Sequence, residues 1–156
     1  MANDALETYL NDHLAGATSA IQMLERAADD HAATELGPGI ADLLAAIRED
    51  QEVLSGLIRR LGYSEHSLKQ AGAWLAEKVG RVKLGASHER ALARLELFET
   101  LSLGIQGKLK LWRSLRAVLP RHPELQELDL PGLDRRAQEQ HDLVEGWRVQ
   151  AAEAAL

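Results

Sequence analysis

The chain has 156 residues, 46% of them apolar, enough for a single domain with a sizeable core. It contains no cysteine, which excludes disulfides, thiolate catalysis, zinc–cysteine centres and cysteine-ligated iron–sulfur clusters. Its formal net charge of −6 argues against a general nucleic-acid role. No run approaches the roughly 18 continuous apolar residues of a membrane-spanning helix. The opening MANDALETYL carries acids where a signal peptide carries a basic segment and then an apolar one, so a cytoplasmic location is the expectation.

The charge is uneven along the chain. Residues 1–58 hold 2 basic and 11 acidic side chains, and residues 95–156 hold 8 and 10. Residues 59–94 hold 8 basic and 3 acidic, a net of +5. This basic island is a candidate face for an acidic protein partner, or for the acidic first part of the same chain.

Apolar residues recur every three or four positions in four long segments, which is the helix period. Helix 1 is expected over about residues 4–31, with Leu6, Leu10, His13, Ala17, Ala20, Leu24 and Ala28 inward. Gly37 and Pro38 follow, and proline suits the first turn of a helix. Helix 2 is expected over about 38–61, with Ile40, Leu44, Ile47, Leu54, Ile58 and Leu61 inward and Gly62 as its stop. Residues 62–86 form a long connection, within which a short helix is expected over about 68–79, carrying Trp74, Leu75 and Val79. Helix 3 is expected over about 87–119, with Leu92, Leu95, Phe98, Ser102, Ile105, Leu109 and Trp112 inward, ended by Pro120 and Pro123. Helix 4 is expected over about 131–154, with Leu133, Ala137, His141, Val144, Trp147 and Ala151 inward. No alternation persists long enough to suggest strands.

These segments compose one all-α domain over residues 1–156, a four-helix bundle whose long connection joins helices 2 and 3. Three stretches, Tyr9-Leu10-Asn11-Asp12-His13-Leu14-Ala15-Gly16, Lys78-Val79-Gly80-Arg81-Val82-Lys83-Leu84 and Gly104-Ile105-Gln106-Gly107-Lys108-Leu109-Lys110-Leu111-Trp112, give the sequence its character. In them the chain resembles an uncharacterised bacterial family of the ferritin-like four-helix-bundle class. The resemblance runs over most of the chain; it implies the fold and attaches no activity to it.

Ferritin-like metal centres take a glutamate from each of two helices and a Glu-x-x-His pair from each of the other two. Here the parts are altered. Helix 2 offers Glu49-Asp50-Gln51-Glu52, with Glu52 where the histidine belongs. Helix 4 offers Gln138-Glu139-Gln140-His141, with glutamine in place of the glutamate. Helix 3 adds Glu96 and Glu99, and helix 1 offers Asp12 and His13. The candidate metal ligands are therefore His13, Glu49, Asp50, Glu52, Glu96, Glu99 and His141, for iron or manganese.

Levels along the helices test whether these ligands meet. With turns near residues 35 and 125, position n of the first hairpin faces roughly 70 − n, and position n of the second roughly 250 − n. His13 then lies opposite Leu57 and Asp50 opposite Ala20, roughly 10 Å apart in level. His141 faces Leu109 and Glu99 faces Ala151, roughly 15 Å apart. If the connection runs the length of the bundle, Asp50 shares a level with Glu99, and His13 with His141. If it caps one end, His13 meets Glu99 and Asp50 meets His141. Neither arrangement rebuilds a centre of four carboxylates and two histidines, so the bland reading is of polar residues satisfied by hydrogen bonds.

Other motifs are absent: no P-loop, no Gly-x-Ser-x-Gly elbow and no His-Glu-x-x-His occurs. Gly104 and Gly107 inside helix 3, and Gly16 inside helix 1, suggest close approach of another helix or of a ligand. Trp112 and Trp147 are core residues or anchors of a homodimer contact. The leading expectation is a non-catalytic helical bundle with a structural or binding role and no cofactor. The alternative is a metal-binding ferritin-like oxidoreductase or storage protein with an altered carboxylate and histidine site.

Overall fold

The computed structural model describes residues 2–66 and 87–156 of the chain. The fold is all-α, of the four-helix-bundle class expected from the sequence. Four long helices carry it: α1 (Ala2–His31), α2 (Gly37–Arg60), α3 (Ser87–Val118) and α4 (Leu130–Ala155). Each begins and ends within two residues of the expected position. The expected short helix at 68–79, with Trp74, Leu75 and Val79, lies outside the described residues, as does the course of the connection between α2 and α3. The chain divides into two compact units, Met1–Leu75 and Ala76–Leu156, each containing one antiparallel helical hairpin. Among the described residues no helix is long and apolar enough to cross a membrane.

In the first unit, α1 and α2 pack along Leu10, Leu14, Ile21, Leu24 and Ala27 on one side and Ile40, Leu43, Ile47, Leu54, Leu57 and Ile58 on the other, all buried. The α1 stripe corrects the expected one. Leu14 takes the core position and His13 stands half-buried beside it. The set through Leu10, Leu14 and Ile21 buries larger apolar side chains than the set through His13, Ala17 and Ala20, and buried apolar area decides between them.

Both ends of α2 are chemically specified. Gly37 opens it, packed where a Cβ would lie 2.6 Å from the His31 carbonyl oxygen, with Pro38 in the first turn. Gly62 closes it at φ +72°, with its N–H bonded to the Arg59 carbonyl at 3.0 Å and the Tyr63 N–H to the Ile58 carbonyl at 3.1 Å. This pair of bonds is a Schellman motif, which needs a left-handed residue that glycine adopts without a Cβ clash.

In the second unit, α3 buries Leu95, Phe98, Leu101, Ile105, Leu109, Leu111, Trp112 and Leu115. α4 buries Leu133, Ala137, Val144, Ala151 and Ala155. Trp147 packs on Phe98 with ring centroids 5.6 Å apart. Leu92, expected inward, is 41% exposed. After α3 the prolines convert the chain to two 3-10 turns, Leu119–Arg121 and Pro123–Glu127. Asp129 then caps α4 by accepting the Gly132 N–H at 3.0 Å.

The register of this hairpin differs from the expected one by three residues. His141 stands level with Gln106 and Ser102 instead of Leu109, and Glu99 with Arg148 instead of Ala151. Because α3 stops at Val118 and α4 begins at Leu130, the connection is centred one residue earlier than assumed, which moves each facing partner by about two. The first hairpin stays nearer its expected register: Thr18 faces Gln51, one residue from the expected partner, and Arg48 reaches Glu25 from three residues away.

Among the described residues the interior glycines of the helices do not mark close contacts within a hairpin. A Cβ at Gly16, Gly104 or Gly107 meets nothing within 4 Å in its own hairpin, so these positions do not mark a close approach of the paired helices within either hairpin. The same test separates two substitutions in α2. Gly37→Ala forces its Cβ onto backbone oxygen and should cost about 1–3 kcal/mol, lowering Tm by roughly 2–4 °C per kcal/mol. Gly56→Ala has open space and should add about 1 kcal/mol through helix propensity. Thermal melts of the two variants should move in opposite directions.

Candidate polar site between the third and fourth helices

The densest polar cluster lies on the α3–α4 seam, built from Ser102 and Gln106 on α3 and His141, Glu145 and Arg148 on α4. The α4 residues recur at intervals of four and three, so one edge of that helix carries all of them. Ser102 is 8% exposed and the His141 side chain 16%. The Gln106 amide nitrogen lies 3.1 Å from His141 Nε2, and Ser102 Oγ lies 3.2 Å from the same atom. An amide N–H can only donate, so Nε2 is the acceptor and the ring proton sits on Nδ1. With that lone pair taken, the Ser102 hydroxyl directs its hydrogen to Glu145 Oε2 at 3.4 Å.

The chain of contacts continues outward. Arg148 Nε donates to both Glu145 oxygens, at 3.0 and 2.9 Å, and Nη1 faces Glu99 Oε1 at 3.8 Å. These Arg148 hydrogen bonds hold the Glu145 carboxyl below the usual carboxylate range, with smaller contributions from Ser102 and His141. Nearby, Lys108 donates to the buried Gln140. Towards the α4 N-terminus, Arg113 bonds Asp134 at 2.6 Å and lowers its carboxyl.

Two buried donors on this unit, His141 Nδ1 and Trp112 Nε1, have no hydrogen-bond acceptor among the described residues. The nearest carboxylate to Nδ1, Asp142 Oδ1, is 3.5 Å away and instead accepts from Gln138 at 2.8 Å. Gln138, standing where a ferritin-like centre has its glutamate, is thereby bonded to Asp142.

The other candidate ligands belong to both units. Glu49 and Glu52 share one face of α2 and line an open groove of about 530 Å³ with Ile21, Arg48 and Gln51. Arg48 is bonded there to Glu25 at 2.5 Å, and Gln51 to Thr18 at 2.8 Å. Asp50, 4% exposed, turns into the core, as its place between Ile47 and Leu54 requires. Glu96 is exposed and Glu99 is 51% exposed beside Arg148. His13 rests the edge of its ring on Tyr9, with centroids 4.7 Å apart and planes at 77°. Among the described residues no group of three or more histidine, aspartate or glutamate side chains is placed to hold a metal ion.

The sequence pointed to His141 but not to its partners. Gln106, Glu145 and Arg148 were missed because single polar residues on amphipathic helices are common and their meeting depends on register. Asn11 was missed too. It is the buried polar residue of its motif, at 6% exposure, whereas His13 is not. Comparison with protein-family models, curated proteins and solved structures finds no match to this chain.

His13 yields a pH dependence. Burial holds its imidazole below the ordinary value of 6.5, against a smaller opposing pull from Asp12. The unfolded chain therefore takes up the proton at higher pH than the folded one. Stability associated with neutral His13 is complete above the unfolded value and is lost as pH falls through it towards the folded one. His13→Gln should flatten the decline in urea midpoint between about pH 7 and pH 5. Parallel declines in both proteins would show that His13 carries no such linkage.

Proposed function

We propose that this chain is a ferritin-like helical bundle with a structural or binding role and not a metal-dependent catalyst. The observation that carries this reading is the engagement of the candidate ligands with other groups. His141 is held by Gln106 and Ser102, and Glu99 faces Arg148. Glu49 and Glu52 open onto a groove of the first hairpin, and Asp50 points into the core beside them. A dinuclear centre needs its carboxylates and imidazoles on one level, directed at one point. Among the described residues no three or more histidine, aspartate or glutamate side chains are grouped to hold a metal ion, which supports this reading.

The ferritin-like part of the reading draws on four helices of 30, 24, 32 and 26 residues in two antiparallel hairpins. The binding part draws on the basic segment 59–94, whose net charge of +5 suits an acidic protein partner. Arg59 and Arg60 begin that segment on the last turn of α2, where cations also complement the helix dipole.

Metal loading tests the reading against its alternative. Protein purified without chelator and reloaded with iron or manganese should retain fewer than roughly 0.1 ions per chain. Retention of about two ions per chain, lost in Glu99→Ala, would establish the metal-binding alternative in its place. For the partner, an acidic protein captured by the wild type should dissociate with rising salt and bind Arg81→Glu/Lys83→Glu more weakly; unchanged capture would remove the basic segment from the proposal.

A further inference from the structure

We propose that residues 61–66, the chain leaving α2, form a strap latched to the start of α1 by Asn11 and able to open as a unit while the first hairpin stays folded. The latch begins where α2 ends. Beyond Gly62 the backbone is neither helix nor strand, so its polar groups need partners from elsewhere. They find them on α1. Asn11 Nδ2 donates to the Ser64 carbonyl at 3.0 Å, and the His66 N–H donates to Asn11 Oδ1 at 2.8 Å. The Ser64 N–H donates to Glu7 Oε1 at 3.2 Å. Asn11 places its remaining amide hydrogen on the Glu7 carbonyl at 3.0 Å, which fixes the side chain against its own helix.

The amide of Asn11 is thus fully used, two donors and one acceptor, at a buried position one residue from Leu10. No carboxylate, hydroxyl or apolar side chain of similar size supplies that set. Further ties include the Schellman bonds of Gly62 and Tyr63 to the end of α2 and two surface pairs: Arg59 to Glu65 at 3.0 Å, and His66 Nε2 to Glu7 at 3.7 Å with His66 62% exposed. Surface pairs of this kind contribute little.

What the strap lacks is apolar burial. Gly62, Ser64, Glu65 and His66 are exposed, and only Leu61 and Tyr63 are half-buried. The α1–α2 core, from Leu10 and Leu14 to Leu54 and Ile58, is assembled without it. A segment held by directional bonds and little hydrophobic area belongs to the low-stability end of a fold and opens locally. Asn11 therefore determines whether Ser64 and His66 stay against the start of α1. This inference is independent of the proposed binding role.

Amide hydrogen exchange on the full chain tests it. In the wild type, Ser64 and His66 should share one opening free energy, lower than that of Leu54 and Leu57. In Asn11→Ala both strap amides should lose at least tenfold in protection, with Leu54 and Leu57 unchanged. Asn11→Asp keeps the acceptor for the His66 N–H and loses both donors; a strap that opens as a unit should still lose protection at Ser64 and His66 together. Three results would overturn the proposal: unchanged strap amides in Asn11→Ala, a fall confined to Ser64 in Asn11→Asp, or wild-type strap amides that open only with Leu54 and Leu57. The wild-type comparison decides the matter even if a variant does not fold.

Discussion

Burial of one apolar stripe per helix is the constraint on which the other features depend. In the second hairpin the two stripes are unequal. α3 contributes Phe98, Leu101, Ile105, Leu109 and Trp112, while α4 contributes Ala137, Ala151 and Ala155 along with Leu133 and Val144. Large side chains on one helix and small ones on the other let the backbones approach and still fill the interior. That approach brings Ser102 and Gln106 within hydrogen-bonding distance of His141. The polar cluster is a product of the packing, set along the edge of the stripe where charge can still reach water through Glu145 and Arg148.

Such a cluster fixes alignment more than it adds stability. Its outer members are partly exposed, where ion pairs gain little. Among the described residues its inner members offer His141 Nδ1 no acceptor, and a buried donor left unpaired costs free energy. Yet sliding α4 by one turn would part His141 from Gln106 or from Ser102 and break the paired set. Apolar stripes tolerate small slips, whereas directed hydrogen bonds do not.

Much of the fold was legible in the sequence because it follows from periodicity and punctuation. Pro38, Gly62 and Pro120 bound the helices by fixing or freeing backbone angles, and these effects are local. The inward face of α1 was less legible, because Leu10 belongs to two overlapping stripes and the choice rests on comparing His13 with Leu14 across the seam. The site was less legible again. Three residues of register separate Gln106 from Leu109 as the partner of His141, and that offset includes the geometry of two 3-10 turns no motif announces. Asn11 illustrates the limit: two of its three partners lie more than 50 residues away, and all three bonds go to backbone atoms, which leave no mark in side-chain patterns.

The same separation bears on the order in which the first hairpin assembles. Its turn between His31 and Gly37 closes a loop of a few residues, and pairs such as Glu25 with Arg48 follow as the helices zip away from it. Joining Glu7 and Asn11 to Ser64 and His66 closes the longest loop in this hairpin, and the chain entropy of closure grows with loop length. Those bonds reward the chain only after the shorter contacts exist. The motif at the start of α1 therefore precedes α2 in the chain and is used last in folding the hairpin: it stays open until the end of α2 has been formed and carried back to meet it.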